Sequence, residues 1–147
     1  MSVTDSQRAA GEAWARKTIE ASDALDTPLY TSRFAEDVRL TLGTHPPIVG
    51  RETFRAWQGQ QMGVIEGVTH EIISIDVQRT KTTLTGKVFH KFKGNPDTVE
   101  SNVTYHWSKT PEEQEAHTME VLGDFSKANA GAAESVKQEG LQPPNYC

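Results

Sequence analysis

Cysteine is almost missing: the chain has one, Cys147, and it is the last residue. A lone thiol closes no internal bridge, so a disulfide framework is excluded and an intracellular, disulfide-free protein is the expectation. Long apolar runs are missing as well; no stretch approaches the roughly 20 residues of a membrane span. The opening Met1-Ser2-Val3-Thr4-Asp5-Ser6 has no basic flank and no apolar block, which argues against a secretory signal and for a cytoplasmic location. Lys and Arg form no cluster, and the net charge is −5. Nucleic acid and anionic membrane surfaces are therefore poor partners. A Gly-rich phosphate loop, a GxSxG elbow and a dinucleotide fingerprint are all absent. The histidines, at 45, 70, 90, 106 and 117, are scattered with no HxH or HxxxH pair, so nothing marks a metal site. These absences leave chemistry that rests on side chains alone, with no cofactor and no metal: proton transfer and polarisation in a closed pocket.

What is present reads as one domain. The 147 residues, 35% of them hydrophobic, can bury a modest core. A first helix is expected over 5–24, with Asp5 as N-cap and Ala10, Ala13, Trp14, Thr18, Ala21 and Leu25 as its inner stripe. Thr27 and Pro28 start a short second helix that carries Leu29, Tyr30 and Phe34 and ends at Asp37. Residues 38–42 alternate as a strand, with Val38, Leu40 and Leu42 opposite Arg39 and Thr41. Gly43 to Pro47 is turn chemistry, and Ile48-Val49 pairs back. A third helix over 51–65 carries Phe54, Trp57, Gln61 and Val64. The period then changes to two, giving strands over 68–78, 82–93, 98–109 and 115–124 separated by turn signals. Helices followed by an antiparallel meander is an α+β pattern. Residues 125–147 are rich in Ala, Gly, Gln and Lys. A helix over 128–136 is weakened by Gly131, and two readings stay open: a frayed tail, or a lid or partner-crossing arm anchored by Leu141 and Tyr146.

Phe34-Ala35-Glu36-Asp37-Val38, followed by Pro47-Ile48-Val49-Gly50-Arg51-Glu52-Thr53-Phe54, resembles the opening half of an NTF2-like (SnoaL-like) domain. The resemblance implies N-terminal helices packed on a strongly curved antiparallel sheet, forming a cone around a pocket. It assigns 1–124 to that domain and leaves 125–147 as the tail. It also implies a small-molecule ligand and a homodimer, since both faces of 68–78 carry apolar residues and the second would pack on another subunit. Scytalone dehydratases, a weaker likeness, close their pocket with C-terminal helical segments.

Alternation nominates the chemistry. His70, near the start of the longest strand, resembles the strand-borne histidine of the scytalone dehydratase branch, which works in acid–base chemistry. An imidazole suits that task because its ordinary pKa lies near neutrality. The alternative is a structural histidine satisfied by a backbone carbonyl. Tyr105 and His90, mid-strand on apolar faces, are the next catalytic candidates: a phenol that donates to a carbonyl or oxyanion, and a neutral base. Arg39 with Thr41, and Ser74, would orient a substrate, unless Arg39 points outward. Trp57, Phe54, Val88 and Met119 would supply the apolar wall. Known enzymes of the fold set limits. The carboxylate base of ketosteroid isomerases has no counterpart at Thr41-Leu42-Gly43. The Asp-Arg-Asp set of limonene epoxide hydrolases cannot be assembled. The first-strand tyrosine of scytalone dehydratase is missing. Two functions follow as expectations: a cofactor-independent lyase or isomerase acting on a small apolar oxygenated metabolite, or a non-catalytic binding or dimeric assembly module. They divide on whether His70, His90 and Tyr105 converge on an open cavity.

Overall fold

The computed structural model describes residues 2–139. The first helix, α1 (Asp5–Asp23), is capped by Thr4 rather than Asp5. The Thr4 hydroxyl accepts from the Gln7 amide, and the Gln7 side chain accepts from the Thr4 amide. This reciprocal box satisfies two of the orphan N–H groups of the first turn. Its buried stripe is Gly11, Trp14, Ala15, Thr18, Ile19 and Ala21, so Ala15 and Ile19 take the place that Ala13, which is exposed, was expected to hold. In α2 (Thr27–Thr31) Asp26 is the cap, accepting from the Leu29 amide. The helix ends before Phe34, because Phe34–Asp37 already belongs to the first strand. Phe34 is buried by strand pairing, and Leu29 is exposed.

The strands β1 (Phe34–Leu42), β2 (His45–Val49), β3 (Ile65–Val77), β4 (Lys81–Phe92), β5 (Thr98–Ser108) and β6 (Ala116–Leu122) form one curved, unclosed sheet in the order β2-β1-β6-β5-β4-β3. Strands β3 to β6 are the expected antiparallel meander. One pair departs from it: β6 lies parallel to β1, which brings the end of the meander back beside the first strand of the chain. Helix α3 (Arg51–Met62) packs on β1 and β2, α1 crosses β3, and α4 (Ser126–Glu139) lies on β4 and β5. Residues 126–139 are therefore a packed helix, with Ala128, Ala132 and Ser135 buried and the Ser135 hydroxyl donating to the Lys93 carbonyl at 2.7 Å. Leu141 and Tyr146 lie outside the described residues.

An aromatic chain forms the centre of the core. Trp107 meets Trp14 at 5.3 Å, Trp14 meets Phe34 at 6.3 Å, and Phe34 meets Phe54 at 5.2 Å, all edge-to-face. That geometry suits the ring quadrupoles, and each buried ring contributes roughly 2–3 kcal/mol. Phe54 belongs to this core.

Strand β3 breaks strict alternation. Ile72 pairs with Gly86 and Ser74 with Thr85, so Ile73 is an extra residue, a bulge. Past it the faces exchange. Ile75 and Val77 turn inward, where uninterrupted alternation would put them on the face of Ile73, while Ser74 and Ile73 are exposed. The outer face is accordingly less apolar than alternation implies. Gly86 makes the bulge possible, since a Cβ there would sit 2.3 Å from the Glu71 carbonyl oxygen.

Candidate active site

Inside the cone is a cavity of about 90 Å³. The register explains what faces it. Val68 and His70 on β3 pair with His90 and Val88 on β4, so these four side chains share the inner face, with the two histidines on a diagonal. Tyr105 comes from β5, and Met119 and Val121 from β6. Trp57, Gln58 and Met62 come from α3, Ser22 from the end of α1, and Phe125 from just before α4. Six residues nominated from the sequence thus meet at one cavity: His70, His90, Tyr105, Trp57, Val88 and Met119.

The other four stand elsewhere. Arg39 and Thr41 border a separate depression on the outer side of the sheet, with Lys81, His106 and Glu120. Ser74 is turned outward by the bulge. Phe54 is fully buried between Tyr30 and Phe34 and does not line the cavity.

Asp23 organises the site, and the sequence reading missed it. Its Oδ1 lies 2.6 Å from His70 Nδ1, and its Oδ2 accepts from the His70 amide at 3.1 Å. The Tyr105 hydroxyl lies 2.8 Å from His70 Nε2. With the Nδ1 proton on the carboxylate side, Nε2 is the acceptor and the Tyr105 hydroxyl donates to it. The result is a carboxylate–imidazole–phenol line whose imidazole side chain is 2% exposed. Both ring nitrogens are held, and by side chains rather than a backbone carbonyl. Tyr105 is fixed in turn by parallel stacking on Trp107 at 5.3 Å. One signal for Asp23 existed. It is the last residue of α1, in a last turn that carries no basic residue. A carboxylate there opposes the negative end of the helix dipole. A residue that breaks a local rule invites a search for a tertiary role.

His90 differs from His70. It is 7% exposed and stacked on Phe92 at 5.6 Å. Burial, and secondarily the field of His70, bring its pKa down to about 4, with Asp23 opposing. At neutral pH it is an uncharged imidazole. The cavity therefore presents one histidine backed by a carboxylate, one neutral histidine, and a phenol against an apolar wall. Such a set can take a proton from carbon and return one to oxygen. Among the described residues no group of three His, Cys, Asp or Glu is placed to hold a metal ion, and no helix is long and apolar enough to cross a membrane.

No protein-family model matches the chain, and no curated protein does. Solved structures do. A protein from Novosphingobium aromaticivorans, provisionally named a scytalone dehydratase, superposes with a TM-score of 0.70 at 13% identity, over 80% of this chain and 83% of its own. An NTF2-like protein of unknown function from Burkholderia pseudomallei gives 0.70 at 16%, over 83% and 96%. SalBIII, an epoxide hydrolase/cyclase-like enzyme in pyran ring formation in the polyether salinomycin, gives 0.68 at 15%, over 83% and 95%. At these identities the likeness is one of fold.

Proposed function

From the NTF2-like fold of this chain, we propose that it is a cytoplasmic, cofactor-independent lyase or isomerase, of the dehydratase or cyclase type, that acts on a small, mostly apolar, oxygenated metabolite of secondary metabolism. The observation that carries the reading is the Asp23–His70–Tyr105 line opening onto an apolar cavity. His70 is the general base. A proton leaving a carbon next to a carbonyl reaches Nε2, through the Tyr105 oxygen or directly, and Asp23 stabilises the imidazolium that forms. The imidazolium then returns the proton, to a leaving hydroxyl to give an alkene and water, or to another carbon to give an isomer. The apolar wall excludes water and strengthens each polar contact. Two of the similar structures carry names of this kind of chemistry, a dehydratase and an epoxide hydrolase/cyclase-like enzyme.

A second reading is a binding module. It is favoured by the hydrogen bonding at His70, both of whose ring nitrogens are already satisfied within the protein.

Proton exchange separates the two. Small neutral cyclic ketones and β-hydroxy ketones in D₂O, followed by NMR, should show deuterium entering at the α carbon and water loss where a leaving hydroxyl is present. We expect His70→Ala to lower exchange by at least about a hundredfold, and Asp23→Asn by about ten- to a hundredfold through loss of the oriented tautomer. Exchange undiminished in H70A contradicts the acid–base reading, and no exchange with any ketone that binds favours the binding module.

A further inference from the structure

Tyr30 also lines the cavity, and neither the sequence reading nor the proton line gives it a role there. It is 5% exposed, and its ring is held edge-on by Phe34 at 5.5 Å and Phe54 at 5.7 Å. Its hydroxyl reaches the cavity wall, where the one acceptor it meets among the described residues is the Met119 sulfur at 3.7 Å. A buried phenol ordinarily finds an oxygen or nitrogen partner, and a thioether is a weak one. Burial, and next the negative field of Asp23, push the phenol well above its usual range, so it stays protonated. This is a fixed, neutral, under-used donor at the boundary of an apolar space. The rest of the lining defines its ligand: among the described residues no Lys, Arg, Asp or Glu faces the cavity. A carboxylate or phosphate would enter with no counter-charge and at a high desolvation cost. A carbonyl or ether oxygen can enter and accept.

We propose that Tyr30 is the oxygen anchor of the cavity, donating its hydroxyl to the carbonyl of an uncharged ketone and thereby holding the ligand's α carbon toward the His70–Tyr105 pair. The assignment of an α carbon rests on the acid–base reading of the site; the anchoring of a neutral carbonyl does not. A carbonyl that displaces the Met119 sulfur exchanges a weak acceptor for a strong one, and the sulfur loses little.

The test uses 2-cyclohexen-1-one and its oxygen-free counterpart cyclohexene as probes, titrated by NMR into the full chain and into Tyr30→Phe. The expected result is a five- to tenfold loss of ketone affinity in Y30F, with cyclohexene changed less than twofold. The carbonyl stretch of bound ketone should be shifted to lower frequency in the parent and not in the variant. Met119→Leu, which removes the sulfur that competes for the Tyr30 hydroxyl, should bind the ketone more tightly than the parent. Equal ketone affinity in parent and Y30F overturns the proposal, as does a parent that does not bind the ketone. If Y30F does not fold, an unshifted carbonyl stretch in the parent and M119L overturns it. H70A keeps the two readings apart. A Y30F effect with exchange intact in H70A sinks the acid–base reading and leaves the anchor, whereas no Y30F effect with exchange abolished in H70A does the reverse.

Discussion

His90 shows how one side chain carries a cost that a measurement can read. Its folded pKa of about 4 lies below the ordinary 6.5, mainly through burial. Between those values the unfolded chain binds the proton and the folded chain does not. The contribution of His90 to stability is therefore fully present above pH 6.5, falls as the pH drops through the window, and is lost by pH 4. Its size is on the order of 2–3 kcal/mol. Urea unfolding at pH 7 and pH 4.5 should show a larger loss for the parent than for His90→Gln; parallel losses would mean that the histidine is not held neutral. At this scale part of the cavity's lining was legible. Alternation nominated His70, His90, Tyr105, Val88 and Met119 without deciding which strand faces line the pocket, and those residues do share a cavity. Asp23 was marked only by its place at the unfavourable end of α1, and Tyr30 by nothing, because each reaches the site from a helix across tertiary space. No periodicity within α1 or α2 reports what stands opposite their ends.

At the scale of elements, the glycines of the helices discriminate between propensity and packing. Gly59 in α3 has nothing within 4 Å of where a Cβ would stand, while at Gly131 in α4 a Cβ would sit 2.8 Å from the Phe92 ring. Alanine is the better helix former by about 0.5–1 kcal/mol. Gly59→Ala should therefore stabilise by about that amount. Gly131→Ala should destabilise by about 1–3 kcal/mol, since the fully buried Phe92 has little room to shift. Thermal unfolding of the two variants checks the pair, and a stabilising G131A would show that α4 is not seated on Phe92. The sequence reading took Gly131 as a weakness in a tail helix, whereas here it is the point where the helix approaches the sheet. The β3 bulge was equally hidden. Ile72, Ile73, Ile75 and Val77 read as two apolar faces until one extra residue is counted, and Gly86 on the partner strand was the only trace of it.

For the whole molecule, the α+β class was legible because helices are followed by a period of two, while the cone came from the resemblance of 34–38 and 47–54 to NTF2-like domains. The parallel pairing of β1 with β6 was not, since it joins segments far apart in the chain. Self-association is also a matter for this scale. Val49, Ile73 and Leu122 are exposed apolar residues on three different strands, and we propose that the sheet face pairs two copies.

Native mass spectrometry of the protein taken from its source cells, beside H70A prepared in the same way, tests the central claim most directly. It weighs the assembly and whatever the cavity retains in one spectrum. The expected result is a species at twice the 16.3 kDa chain mass that releases a neutral, oxygenated small molecule, with H70A retaining a chemically different, unconverted one. The same molecule in both proteins, or an empty cavity in both, would contradict a working acid–base site at His70.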